Sequence, residues 1–105
     1  MKIEAGIIEM GWVVPIPGSF MQSPDWLMSA CLAPDGQVYS AAAMVGNEPL
    51  VGLRAAHDGV PIIVDEGHIY LPVAWLAKEF PEWAEVMEAI EKRVRETIAM
   101  DPAHN

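Results

Sequence analysis

Before residue 72 the chain is cut into short pieces by turn formers: Pro17-Gly18, Pro34-Asp35-Gly36, Gly46-Asn47, Asp58-Gly59 and Glu66-Gly67. Glycine reaches backbone conformations closed to other residues, and proline fixes φ while removing a donor, so both interrupt regular elements. The apolar segments between them are "KIEAGIIEM", "WVVPI", "QVYSAAAMV", "PLVGLRAA", "VPIIV" and "HIYLP". Short segments at this spacing predict strands of a small, mostly antiparallel β-sheet over residues 1–71. Residues 23–33, "SPDWLMSACLA", admit two readings. Ser23-Pro24-Asp25 has the cap, proline and first-turn acid of a helix start. The alternation in the same segment lets it pair with "QVYSAAAMV" across Pro34-Asp35-Gly36, and we favour this hairpin.

From residue 72 the period changes. Val73, Leu76, Ala77 and Phe80 share one helical face, which predicts a helix over about 72–80 with Pro72 in its first turn. Pro81 then fits the start of a second helix, about 81–100. Trp83, Met87, Ile90, Val94 and Thr97 continue the stripe, widened by Val86 and Ile98. Glu82 and Glu85 fall in the first turn, where the helix dipole favours acids. Glu88–Lys92 and Glu91–Arg95 have the stabilising i, i+4 order. The fold class expected is therefore α+β, with the sheet packed against C-terminal helices.

The chain of 105 residues, 52% apolar, has the size of a single domain with its own core. No run approaches the roughly 18 apolar residues of a membrane span. Glu4 and Glu9 interrupt the apolar start, which argues against a signal peptide. A lone cysteine, Cys31, excludes an internal disulfide and fits a reducing compartment, so a cytoplasmic location is expected.

Net charge is −9, from 15 acids against 6 bases. Binding nucleic acid depends on Lys and Arg displacing condensed counterions. With Lys2 and Arg54 the sole bases before residue 78, no basic groove can be assembled, and direct nucleic-acid binding is disfavoured. The same charge suits a basic protein partner, including the nucleic-acid-binding surface of another protein. It also keeps a small apolar chain soluble.

Reactive chemistry finds little footing. His57-Asp58 and Glu66-x-His68 would approach each other if the flanking strands pair, but their spacing follows no zinc pattern. Ser19, Ser23, Ser29 and Ser40 lack the G-x-S-x-G elbow that exposes a nucleophile. Cys31 in "SACLA" has no neighbouring cation to stabilise a thiolate. Asp65 and Glu66, adjacent in a turn, share one wet environment, whereas acid–base pairs need unlike ones. In "VDEGHIYLPVAWLAKEFPEW", residues 64–83, the acids read as turn residues and Trp75, Phe80 and Trp83 as packing between helix and sheet. No catalytic residue, metal or cofactor is expected.

Two features point to a partner. Glu82, Glu85, Glu88 and Glu91 recur every third residue, each step rising about 4.5 Å and turning about 300° along a helix. They wind across its exposed back as a ridge of carboxylates, with Glu79 as an extension. Four tryptophans and seven methionines also exceed what a small core needs. The proline-rich "PIPGSFMQSPDW", residues 15–26, offers Phe20, Met21 and Trp26 as anchors. The expected function is a non-catalytic protein that occludes a basic surface, as inhibitors, antitoxins, DNA mimics and phage anti-defence proteins such as anti-CRISPRs do. A homo-oligomeric structural or regulatory subunit, with the aromatic surplus at a homodimer interface, is the alternative. A small enzyme using His57, Asp58, Glu66 and His68 comes third.

Overall fold

The structure, a computed structural model, describes residues 8–17 and 27–100. Five strands, β1 (Trp12–Pro17), β2 (Leu27–Leu32), β3 (Val38–Ala41), β4 (Ile63–Asp65) and β5 (His68–Pro72), form one sheet in the order β1-β2-β3-β5-β4. Every neighbouring pair is antiparallel. Helices α1 (Glu48–His57), α2 (Val73–Glu79) and α3 (Ala84–Ala99) accompany it, which makes the fold α+β. The preferred hairpin is present: β2 pairs with β3 in the register Ala30↔Ser40 across the Pro34-Asp35-Gly36 turn. Trp26, Phe20 and Met21 lie outside the described residues, as does most of "KIEAGIIEM".

The segment "PLVGLRAA" is a helix, not a strand. Pro49 and Glu48 suit a first turn, and Val51, Gly52 and Ala55 supply the buried face. Asp58-Gly59 closes this helix instead of turning a hairpin. Val60 N–H donates to the Ala55 carbonyl at 3.0 Å and Gly59 N–H to that of Ala56 at 3.1 Å, the paired bonds of a Schellman motif. The sheet expected over 1–71 is thus interrupted by α1. "QVYSAAAMV" likewise stays extended only to Ala41, after which Ala42–Met44 form a 3-10 turn.

The two C-terminal helices fall close to their expected limits. Pro72 ends β5 and α2 begins at Val73. Pro81 opens a 3-10 turn, Pro81–Trp83, that leads into α3. Met87, Ile90, Val94 and Ile98 are buried, whereas Thr97, expected on the same stripe, faces solvent.

Alternation along the strands gives the sheet two unlike faces. Val14, Ile16, Ala30, Val38 and Leu71 face the helices and join Leu76, Met87, Ile90 and Val94 in the main core. Cys31, Tyr39, Ile63 and Tyr70 face the other way, under half-buried Ile8 and Met10. Ile8 N–H donates to the Ile62 carbonyl at 2.9 Å, tying this cover beside β4. At the opposite edge, β1 contains Pro15 and Pro17. Residues two apart present their nitrogens to the same side, and a full ladder to β2 leaves prolines only the outward side.

One polar group sits within the main core. Ser40 is fully buried between Ala30 and Leu71, and its Oγ has no hydrogen-bond partner among the described residues. A buried hydroxyl without a partner costs about 1–3 kcal/mol. Ser40→Ala is therefore expected to raise stability by about 1 kcal/mol in a urea melt. A loss of stability would show that the hydroxyl is satisfied.

Candidate functional site

The carboxylate ridge spans the junction from the 3-10 turn into α3. Glu82 lies in that turn, Glu85 in the first turn of α3 and Glu88 one turn further, all exposed. None of these three carboxylates has a hydrogen bond or ion pair to a described residue. Glu91 differs: it is half-buried, and its Oε2 accepts from Arg95 Nε at 3.2 Å. Arg95 also donates to the Gly36 carbonyl at 2.9 Å, so this pair fastens the last turns of α3 to the β2–β3 turn. Lys92 reaches Glu96 at 4.0 Å, not Glu88, which leaves Glu88 unpaired. Glu79 turns to α1, where Arg54 donates to its Oε2 at 2.7 Å.

That contact belongs to a corner joining α1 to α2. The Arg54 guanidinium lies 5.6 Å from the Phe80 ring centre. Phe80 meets Trp75 edge to face at 6.4 Å, and Trp75 Nε1 donates to Asp58 Oδ2 at 3.3 Å. Trp75, Phe80 and Trp83 are half-buried against the main core.

His57, Asp58, Glu66 and His68 do not converge. β4 and β5 pair, but Asp58 precedes the open end of the hairpin while Glu66 forms its tip. Several residues at about 3.3 Å each separate them. Glu66 and Gly67 form a two-residue turn with φ of 50° and 80°, both positive, which suits the twist of a hairpin. His68 Nδ1 lies 3.3 Å from Glu48 Oε2, at the start of α1. Among the described residues no three His, Cys, Asp or Glu side chains gather closely enough to hold a metal ion.

Two titratable groups are strongly perturbed, both on the sheet face away from the helices. Burial pushes the Cys31 thiol up to about 11, so it stays protonated and unreactive near neutrality. Burial, and then the Asp35 carboxylate beside its hydroxyl, push Tyr39 up as well. Asp35 itself feels desolvation first, but hydrogen bonds more than offset it and hold its carboxyl below the ordinary value. Its Oδ2 accepts from the Tyr39 hydroxyl at 2.6 Å and its Oδ1 from Gln37 N–H at 2.9 Å. These groups pin the β2–β3 turn.

Exposed apolar side chains mark a second surface that the sequence reading did not single out. Leu50 and Leu53 on α1 are 62% and 58% exposed, and Val64 on β4 is 48% exposed. The available signal was an apolar residue on both sides of α1. No helix of the described residues is long and apolar enough to cross a membrane. No protein-family model, curated protein or solved structure matches this chain.

Proposed function

We propose that this protein is a non-catalytic binding protein that occludes a basic, nucleic-acid-binding surface of a partner protein. Inhibitors, antitoxins and phage anti-defence proteins act in this stoichiometric way. The observation that carries the reading is the row Glu82, Glu85 and Glu88, exposed and without ionic partners among the described residues, on a chain of net charge −9. Like charges three residues apart repel modestly, which offsets what Glu82 and Glu85 gain from the helix dipole, so helix stability alone does not account for the row. The docked α3 holds the backbones of Glu85 and Glu88, and the 3-10 turn leading into it that of Glu82, so little ordering is needed when lysines and arginines approach. Glu91 contributes from the end of the row while bound to Arg95.

The test captures the partner from the native host, identifies it by mass spectrometry, and compares its binding kinetics with variants. Changing Glu82, Glu85, Glu88 and Glu91 to Gln is expected to slow association about tenfold or more and to flatten its salt dependence. Stability is expected to change little at the three exposed positions. Glu9→Gln, Asp65→Asn and Glu66→Gln form the control, because these acids are exposed and unpaired. Asp35 and Glu48 would not serve, since each holds a structural hydrogen bond. Equal weakening by both sets would reduce the ridge to net charge. No weakening by either would move the contact to Phe20, Met21 and Trp26.

A further inference from the structure

We infer that the outer ridge of α1, with Val64 of β4 beside it, is a docking surface for a cationic amphipathic helix of a partner protein. Val51, Gly52 and Ala55 bury one side of α1. An ideal Cβ on Gly52 would lie 2.6 Å from Ile69 Cδ1, so helix and sheet are in close contact there. At about 100° per residue, Leu50 and Leu53 project from the opposite side, and both are exposed. Val64, the register partner of Ile69, adds a third exposed apolar side chain on the helix-bearing face of the sheet. Leucines at i, i+3 form a ridge of the kind that enters the groove of another helix. An added strand finds less to hold, because β4 offers only three residues.

Charge selects the occupant, because acids stand at both ends of the ridge. Where α1 ends, Asp58 is exposed, and the described partner of its carboxylate is the neutral Trp75 indole, at 3.3 Å. Where α1 starts, Glu48 lies 3.3 Å from His68 Nδ1, and His68 is the register partner of Asp65. That contact sets the hairpin tip, with exposed Asp65 and Glu66, beside the first turn of α1. Neither of these two carboxylates has a hydrogen bond or ion pair to a described residue. Arg54, on the same helix, is already held by Glu79 at 2.7 Å. The surface is thus apolar along its middle and anionic at its ends. A second copy carries the same acids and a net charge of −9, so it is opposed. Anionic lipid and nucleic acid are opposed for the same reason, whereas lysines and arginines are drawn in. The ten residues of α1 span about 15 Å. A helix of similar length, apolar at its centre and basic toward both ends, matches that span. The alkyl stems of its basic side chains can cover the margins of Leu50 and Leu53. This docking is a separate binding event from the one proposed for α3 and uses other elements, so neither rests on the other.

The probe is a synthetic leucine–lysine peptide with its leucines on one helical face and its lysines toward both ends. Calorimetric titration is expected to show saturable binding that weakens as salt is added. Amide NMR shifts on the wild type give a readout without any substitution, and are expected to centre on α1, β4 and the turn at Glu66-Gly67. Leu50→Ser combined with Leu53→Ser is expected to raise Kd about tenfold or more, with an unchanged melting temperature. Two comparison peptides separate shape from charge. One has the same composition with its leucines scattered around the helix; the other keeps the leucine face and replaces each lysine with glutamate. Both are expected to bind about tenfold or more weakly. Equal binding by the scattered peptide would reduce the surface to net charge, and equal binding by the glutamate peptide would remove charge as the selector. Either result overturns the inference. So does a lysine peptide that fails to bind, a double variant that binds it as well as the wild type, or shifts centred on residues 82–91. Self-association of the wild type with dilution-dependent shifts on α1 would overturn it too, since the occupant would then be a second copy.

Discussion

Ile90→Ala is expected to destabilise the protein by about 2–5 kcal/mol, the range for deleting a large aliphatic side chain from a packed core. Ile90 is fully buried, flanked along α3 by Met87 and Val94, and α3 packs over β1, β2 and β3. Domains of this size are stable by about 5–15 kcal/mol in total, so this one change removes a large fraction. Thr97→Ala, on an exposed position of the same helix, is expected to alter stability by no more than about 0.5 kcal/mol. Urea denaturation of the two variants tests the docking of α3. A native-like midpoint for Ile90→Ala would mean that this face of α3 is not buried.

Gly11→Ala is expected to cost about 3 kcal/mol, through two separable effects. Gly11 has φ of 75°, a left-handed conformation that costs an alanine roughly 1–2 kcal/mol. A Cβ there would also fall inside the van der Waals envelope of the Leu32 carbonyl oxygen and lie 3.1 Å from Ala33 Cα. Both are backbone atoms, which cannot rotate away. Gly36 separates the effects: its φ is 87°, but a Cβ would meet nothing within 4 Å. Gly36→Ala is therefore expected to show the conformational cost alone, about 1–2 kcal/mol. Equal losses at the two positions would show that the chain before Trp12 can move away from β2.

How legible these features were in the sequence depends on whether the responsible interactions are local. The stripe through Met87, Ile90, Val94 and Ile98 follows the helical period and has one apolar side, so α3 could be read directly. The two hairpins carry their own turn chemistry at Pro34-Asp35-Gly36 and Glu66-Gly67. Helix α1 was misread because its buried side is made of small residues, Gly52 and Ala55, while Leu50 and Leu53 stand in solvent. That reversal hides the period, and only the contact with Ile69 explains it. Asp58-Gly59 is equally at home in a hairpin and at a helix end, and tertiary packing decides between them. On the acidic row, the i, i+4 rule anticipated Glu91–Arg95. It could not anticipate that Arg95 also reaches Gly36, 59 residues earlier in the chain. Exposure of Glu82, Glu85 and Glu88 followed from the stripe behind them, whereas their lack of partners depended on where Lys92 and Arg54 turn.

The prolines of β1 bear on how this apolar chain behaves when concentrated. Fibrous growth by strand addition needs two open margins on every subunit, one to accept a neighbour and one to present to the next. The β1 margin lacks an amide donor at both Pro15 and Pro17. At the other margin β4 is only three residues long, and the Ile62 carbonyl preceding it is already occupied by Ile8. A subunit with one terminated margin can end a stack but cannot propagate it. Crowding of native molecules therefore does not extend into open-ended polymer through these margins.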